Sequence, residues 1–340
     1  MKGLWWKVLA TLLLLYVVIV GLRTPLRPAI VQTSVSRIAP GPVEVDVWGY
    51  GTHFIKSGAQ VWIENDSQRV CATSVAAIAD DHLRVQFTVP SGLRSEMSDL
   101  AVFSERDGLL ERFGAFFTEG RGAGIATQNC VTGKSLRLAI LEFPNRDILN
   151  ESIRNLFFHV PMWFTMVVLL SIGVWKSVVV LRKNDPDADR SAAVAVQVGL
   201  AFATLGLITG SLWARVTWET WWTSDPKLNG SAATMLIYLA YLVLRGSVPE
   251  PAKRARLAAI YSVFAFSFML LFLFVLPRLN DSLHPGNGGN PAFSKYDIDK
   301  RLAPVFYPAC LGWILLGVWM YDLRNRLLRL QHRLSDANDQ

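Results

Sequence analysis

The sequence is poor in the residues that build metal centres and soluble enzyme sites. It holds three cysteines, Cys71, Cys130 and Cys310, with no CxxC and no Cys/His metal spacing. That excludes a structural zinc site of the usual kind. Histidine is scarce, five residues in 340, and charged residues make up only 18% of the chain. The net charge of +7 would fit a nucleic-acid binder, but the basic residues flank apolar runs and do not form one patch. Nucleic acid is therefore set aside. The first apolar run lacks a small-x-small cleavage site, so it reads as an uncleaved anchor and not a removed signal.

What the chain has in abundance is apolar sequence, 51% of residues, gathered in long blocks. One block covers 4–22, and five more fall near 157–181, 192–213, 231–245, 257–277 and 303–323. Most approach the ~20 residues needed to span a bilayer, the run 231–245 being short. Between the first two blocks the pattern changes to short alternating pieces, "VEVDVWGY", "AQVWIEN", "LRVQFTV" and "LAVFSE", separated by turn residues. The expected fold is a polytopic all-α membrane protein of about six transmembrane helices, with an inserted extracytoplasmic β-sandwich.

The expected domains are an anchor at 1–24, a β domain at 34–120 and a connector at 121–155. A five-helix membrane domain at 156–323 and a cytoplasmic tail at 324–340 follow. The connector contains the Gly-rich "EGRGAGIATQ" and a further candidate strand, "LRLAILEF". Lysines and arginines are concentrated at one set of loop ends, including Lys2, Lys7, Arg182, Lys183 and Arg245, and so place both termini in the cytoplasm. The β domain then lies outside, where Cys71 and Cys130 can pair as a disulfide, although two unlinked thiols fit the sequence equally well. Cys310 lies in an apolar run and reads as packed.

Parity brings distant residues to one membrane face. His159 sits at the outer end of the second span and His284 in the last outer loop. Between them in sequence lies "GSLWARVTWETWWTSDPKL", with Trp213, Trp218, Trp221 and Trp222 within ten residues. Two neutral imidazoles facing a flat aromatic surface suit bis-histidine ligation of haem b, with indoles against the porphyrin. If helical, Trp218 and Trp222 share a face at i,i+4, flanked by Trp221. Arg215, Lys227 and Arg278 are cations near enough in sequence to pair with propionates. The plainer alternatives are an anchoring aromatic belt, interfacial histidines, flanking charges, and Asp225 as a turn or cap residue before Pro226. His53, His82 and His332 read as solvated or structural.

These same segments carry a family resemblance. The region 156–323 resembles the haem-handling proteins of cytochrome c maturation, the CcmC/CcsA family, and CcmC most closely. "FHVPMW", the tryptophan-rich segment and "SLHPG" match its first histidine, its tryptophan motif and its second histidine, in order and on the expected side. The resemblance implies haem bound as cargo, with His159 and His284 as axial ligands. It implies a platform of Trp213, Trp218, Trp221 and Trp222, with Asp225 matching the motif's acidic residue. It also implies delivery to a CcmE-type haem chaperone beside an ABC transporter and a small membrane subunit, in the bacterial inner membrane. Such a protein is not an enzyme in the usual sense.

The sequence departs from the family at Ser224, where a further tryptophan is usual, and at Glu219, where glycine is usual. The β domain is absent from a plain CcmC. Its opening, "IAPGPVEVDVWGYGTHF", resembles immunoglobulin-like IPT/TIG domains. Three other readings stand beside this one. They are a component of a CcsA-type cytochrome c synthase, an interaction protein working through the β domain, and a membrane b-type electron carrier.

Overall fold

The computed structural model describes residues 3–65, 68–93, 96–119, 130, 141–145, 149–280, 282–284 and 298–338. Of the Gly-rich segment 119–128 all but Glu119, and of the candidate strand 136–143 residues 136–140, fall outside these residues; Phe143 forms an isolated bridge with Leu26. The chain divides into two compact units, Pro25–Asn150 and the remainder, Met1–Thr24 with Glu151–Gln340.

The first unit is built of strands. β1 (Ala29–Thr33), β3 (Gly41–Tyr50), β7 (His82–Val89) and β6 (Ser74–Ala79) form one sheet in the order β1-β3-β7-β6. β2 (Arg37–Ile38), β9 (Gly108–Thr118), β8 (Met97–Ser104), β4 (Gln60–Asn65) and β5 (Gln68–Cys71) form the other in the order β2-β9-β8-β4-β5. Pairing is antiparallel except for β2 on β9, which is parallel. Strand β1 lies upstream of residue 34, where the sequence pattern opens.

Alternation explains the packing. In β7 the side chains of Leu83, Val85, Phe87 and Val89 are buried while their neighbours face out. These meet Val61, Ile63, Leu100, Val102 and Phe116 of the second sheet in one core, so the two curled sheets share an interior. Strand β8 is buried on its second face too, where Ala101 and Phe103 pack with Trp62 and Cys130. Cys130 is joined to Cys71 by a disulfide that closes a separation of 59 residues.

The second unit is helical. α1 (Trp5–Arg23), α3 (Leu156–Lys183), α4 (Pro186–Thr217), α5 (Pro226–Ser247), α6 (Pro251–Leu270) and α8 (Ala303–Asn338) are its long elements. A π-helical turn, Leu271–Val275, leads from α6 into the short α7 (Leu276–Leu279), and α2 (Phe54–Ser57) is a single turn in the β unit. Among the described residues six helices are long and apolar enough to cross a membrane. Exposed Leu12, Leu205, Leu236, Val243 and Phe264 give this unit the apolar outer face that lipid requires. The protein is a multi-pass membrane protein with an extracytoplasmic β unit.

Helix starts follow a repeated device. α4, α5 and α6 each open on an acidic residue followed by proline: Asp185-Pro186, Asp225-Pro226 and Glu250-Pro251. Proline at the first helical position loses no hydrogen bond, and the aspartates cap the exposed N–H groups. Asp185 accepts from the backbone of Asp187 and Ala188. This cap explains why α5 is longer than the apolar run 231–245: its first turn, rich in polar residues, is held helical by Asp225.

α1 and α8 run antiparallel. Trp6 meets Trp319 edge-on at 6.4 Å, and the Tyr16 hydroxyl donates to the Pro304 carbonyl at 3.2 Å. Gly312 admits Leu13 and Leu14 of α1 where a Cβ would come within 3.1–3.2 Å of them. The termini of the helical unit therefore lie at one end of the bundle. At that same end Arg245 of α5 grips Asp189 of α4 through two contacts of 2.5 and 2.8 Å, with both side chains largely buried.

Candidate functional site

At the opposite end of the bundle the outer ends of α3 and α4 hold His159. Its Nδ1 is 3.1 Å from the Gly206 carbonyl and 3.2 Å from the Thr209 hydroxyl. A carbonyl can only accept, so Nδ1 carries the proton and Nε2 keeps its lone pair. Two indoles meet the ring edge-on, Trp213 at 5.8 Å and Trp163 at 6.3 Å. Trp213 is fixed by a bond from its Nε1 to the Ser152 hydroxyl at 3.1 Å. The close approach of α3 to α4 depends on glycine. A Cβ on Gly206 would meet Trp163 at 2.8 Å, and one on Gly210 would meet the His159 ring at 2.7 Å.

His284 occupies a loop beyond α7 and is positioned by Asp225. Its Nδ1 lies 3.0 Å from Oδ1 of that carboxylate, and its ring meets Trp218 edge-on at 5.2 Å. A carboxylate likewise only accepts, so His284 too keeps its lone pair on Nε2. Burial pushes the His284 ring below the ordinary imidazole value and the positive charge of Lys227 adds to this, against the opposing pull of Asp225. The neutral, metal-ligating form is therefore favoured at neutral pH.

Asp225 is the joint of the site. Its side chain is 1% exposed. It caps α5 by accepting from the backbone of Lys227 at 2.8 Å and Leu228 at 3.4 Å, and it accepts from the Leu283 N–H at 2.7 Å. Burial works against its charge, but the hydrogen bonds of Ser282 and Leu283, the neighbouring His284 and the helix N–H hold its carboxyl below the usual range. The sequence allowed Asp225 as a cap; that it also holds His284 needed the fold.

His159 is held between α3 and α4, and His284 in the loop beyond α7, at the N-terminus of α5. Of the four tryptophans, Trp213 and Trp218 flank the two histidines. Trp221 and Trp222 face outward, 57% and 40% exposed, and the Trp222 Nε1 donates to the Asn229 side chain at 3.2 Å. The helical face expected for Trp218, Trp221 and Trp222 does not exist. α4 ends at Thr217, Trp218 takes the cap position, and Glu219 turns to a left-handed φ of 58°. This is a conformation that glycine adopts without steric cost and a glutamate does not. The Glu219 carbonyl is held by the Arg215 guanidinium, so Arg215 has a structural partner within the loop. Arg278 is exposed on α7 and Lys227 partly buried on the first turn of α5.

Sequence reasoning missed Trp163, Gly206, Thr209 and Gly210. The signal for the first was its spacing, four residues beyond His159 on one helix. For the glycines it was their own i,i+4 spacing on α4. Among the described residues no group of three or more His, Cys, Asp or Glu side chains is placed to hold a metal ion.

The pattern of the family described as Cytochrome C assembly protein matches residues 137–284. The chain is 29% identical to "Heme exporter protein C" of Paracoccus denitrificans over 194 residues, covering 54% of this chain and 76% of that one. It is 30% identical to the protein of that name from Bradyrhizobium diazoefficiens over 191 residues, 54% of this chain and 69% of the relative. A shorter stretch of 76 residues is 42% identical to "Cytochrome c biogenesis protein CcsA" of Prochlorococcus marinus, 22% of this chain and 25% of that protein.

Proposed function

The chain belongs to the cytochrome c assembly family, and from that premise we propose that it holds haem at the periplasmic face of the inner membrane and delivers it during cytochrome c maturation. His159 and His284 are the axial ligands in this reading. The observation that carries it is the matched state of the two rings: each has Nδ1 occupied by an acceptor, Nε2 left with its lone pair, and an indole edge alongside. Haem b is cargo, and its iron supplies the chemistry that the acceptor later uses.

The exposed rings of Trp221 and Trp222 offer flat apolar surface for the porphyrin, with Trp213 and Trp218 behind the ligands. Asp225 belongs to the support of His284, beneath the platform. Lys227 and Arg278 are the cations for the propionates, and Arg215 stiffens the tryptophan loop. The acceptor is a haem chaperone of the CcmE type, beside an ABC transporter and a small membrane subunit. The protein carries haem and does not transform it. The β unit, of immunoglobulin-like character, is a docking module for that acceptor.

The test is spectroscopic. Protein purified in detergent from haem-replete cells should show a low-spin bis-imidazole spectrum in both oxidation states. His159→Ala and His284→Ala should each lose it, and His53→Ala, His82→Ala and His332→Ala should keep it. Five variants that behave alike would sink the assignment. Haem passed to a purified apocytochrome and not to a chaperone would move the protein to the synthase reading.

A further inference from the structure

The two candidate ligands are held by chemically different partners. His159 is braced by neutral acceptors, the Gly206 carbonyl and the Thr209 hydroxyl, which itself donates to Leu205 at 2.8 Å. His284 is braced by a buried carboxylate that accepts hydrogen bonds from three backbone N–H groups and from Ser282. We propose that Asp225 is a positioning residue that makes the ligands unequal: its charge fixes the His284 tautomer and strengthens the Nε2 donor, so that His284 is the retained ligand and His159 the yielding one. This rests on the haem reading above.

The physical chain is short. A hydrogen bond from a ring N–H to an ionised acceptor is shorter and about twice as strong as one to a neutral acceptor. The more the Nδ1 proton is drawn toward the carboxylate, the more electron density remains at Nε2. Such partners raise ligand basicity, and their loss typically costs about 10–100-fold in metal affinity. The stronger donor favours ferric over ferrous iron. The same carboxylate anchors the loop that carries His284 to the first turn of α5, so that the strengthened ligand is also the more firmly placed one. Among the described residues nothing equivalent braces His159, whose acceptors are formally uncharged.

The plain alternative is that Asp225 only caps α5. Asp225→Asn separates the two, because asparagine caps a helix as well as aspartate does and can still accept from His284. Its Oδ1 keeps the cap and the His284 contact, while its Nδ2 takes the place of the Oδ2 that accepts from the Leu283 N–H, so it removes the charge and that one loop bond. With full-length protein in detergent and haem as the probe, wild type and variant are compared for haem release, midpoint potential and circular dichroism. The expectation is an unchanged fold, a low-spin spectrum, release faster by about tenfold or more, and a raised potential. A tenfold loss of ferric over ferrous affinity corresponds to about 59 mV for one electron. His284→Ala should lose more haem than His159→Ala, and Thr209→Val, at the other ligand, should leave the potential within a small fraction of that shift.

Ser282→Ala supplies a check that does not depend on the cap. It takes one donor from the carboxylate and the acceptor of the His284 backbone N–H, leaves the charge, and should lower the potential by strengthening the bond from the His284 ring. Wild-type potential and release in Asp225→Asn, or an unmoved or raised potential in Ser282→Ala, would overturn the inference while wild type still held haem. A wild-type protein that holds no haem overturns the site reading and this inference with it.

Discussion

Gly210→Ala offers a substitution whose effects on the apoprotein and on its cargo part company. An alanine Cβ there would lie 2.7 Å from Cε1 of His159 and 3.3 Å from Nδ1. Ordinary contact between carbon atoms begins at about 3.5 Å, so the ring must give way by about 0.8 Å. The Nδ1 contacts to Gly206 and Thr209 are already 3.1 and 3.2 Å. Lengthened by that amount they cease to be hydrogen bonds. One Nδ1 proton is shared between the two acceptors, so the net loss is that of one typical bond, about 1 kcal/mol. Against it stands the helix preference for alanine over glycine, also about 1 kcal/mol. Apoprotein stability should therefore hardly move. Haem binding has no such offset, because a displaced ring misaims Nε2, and a fall of about 10–100-fold is expected by analogy with lost supporting contacts at metal ligands. Haem titration followed at the Soret band, with thermal unfolding of the apoprotein, reads both quantities. Gly246→Ala is the control, since a Cβ there meets nothing within 4 Å. Wild-type haem affinity in Gly210→Ala would refute the placement of iron at His159.

Other perturbations test the frame around the site. Loss of the Cys71–Cys130 disulfide frees a separation of 59 residues, and the chain-entropy relation puts the cost at about 4 kcal/mol; Cys71→Ser with Cys130→Ser should lower the denaturation midpoint of the β unit, read by proteolysis, and leave haem binding to the helical unit in place. Arg245→Ala strands the Asp189 carboxylate in a largely buried position and should destabilise the bundle by about 3–5 kcal/mol, with Asp189→Asn in the same chain restoring much of the loss in a detergent melting assay. Gly230→Ala would bring a Cβ within 2.5 Å of the Phe272 carbonyl in the π-helical turn; backbone cannot swing aside, so a lowered melting temperature is expected in spite of the better helix former. Glu219→Gly relieves a left-handed φ of 58° and should raise the melting temperature slightly, by under about 1 kcal/mol of stability, with no loss of haem.

The spans were legible because hydrophobic run length is a property of sequence alone, the strands β3, β4 and β7 because apolar and polar residues alternate in them, and β8 because it is a short apolar run between turn residues. β5 and β6 were not, since "QRVC" and "SVAAIA" show no clear alternation of apolar and polar residues, and β6 owes its place to pairing with β7. At the site the residue types were legible and their conformations were not. The tryptophan segment has helical spacing, yet α4 stops at Thr217 because the chain turns left-handed at a glutamate that sequence periodicity cannot flag. Gly206 and Gly210 are silent until His159 and Trp163 are seen against them.

The least legible feature is also what makes the site coherent. His159 takes its position from a helix, which is rigid by construction. His284 lies on a loop, and sites on loops are less well placed than sites on helices. Asp225 removes that difference. As the N-cap of α5 its own position is set by the helix backbone. By accepting from the Leu283 N–H and from the His284 ring it passes that definition to the loop. A single carboxylate thus ties the end of the tryptophan segment, the start of α5 and the second histidine into one unit. The cap and the His284 ring both use Oδ1, and the Leu283 N–H uses Oδ2. Asp225→Asn therefore keeps the cap and the His284 contact while it removes the charge and the Leu283 bond, and the frame of α5 survives the test of the site's chemistry.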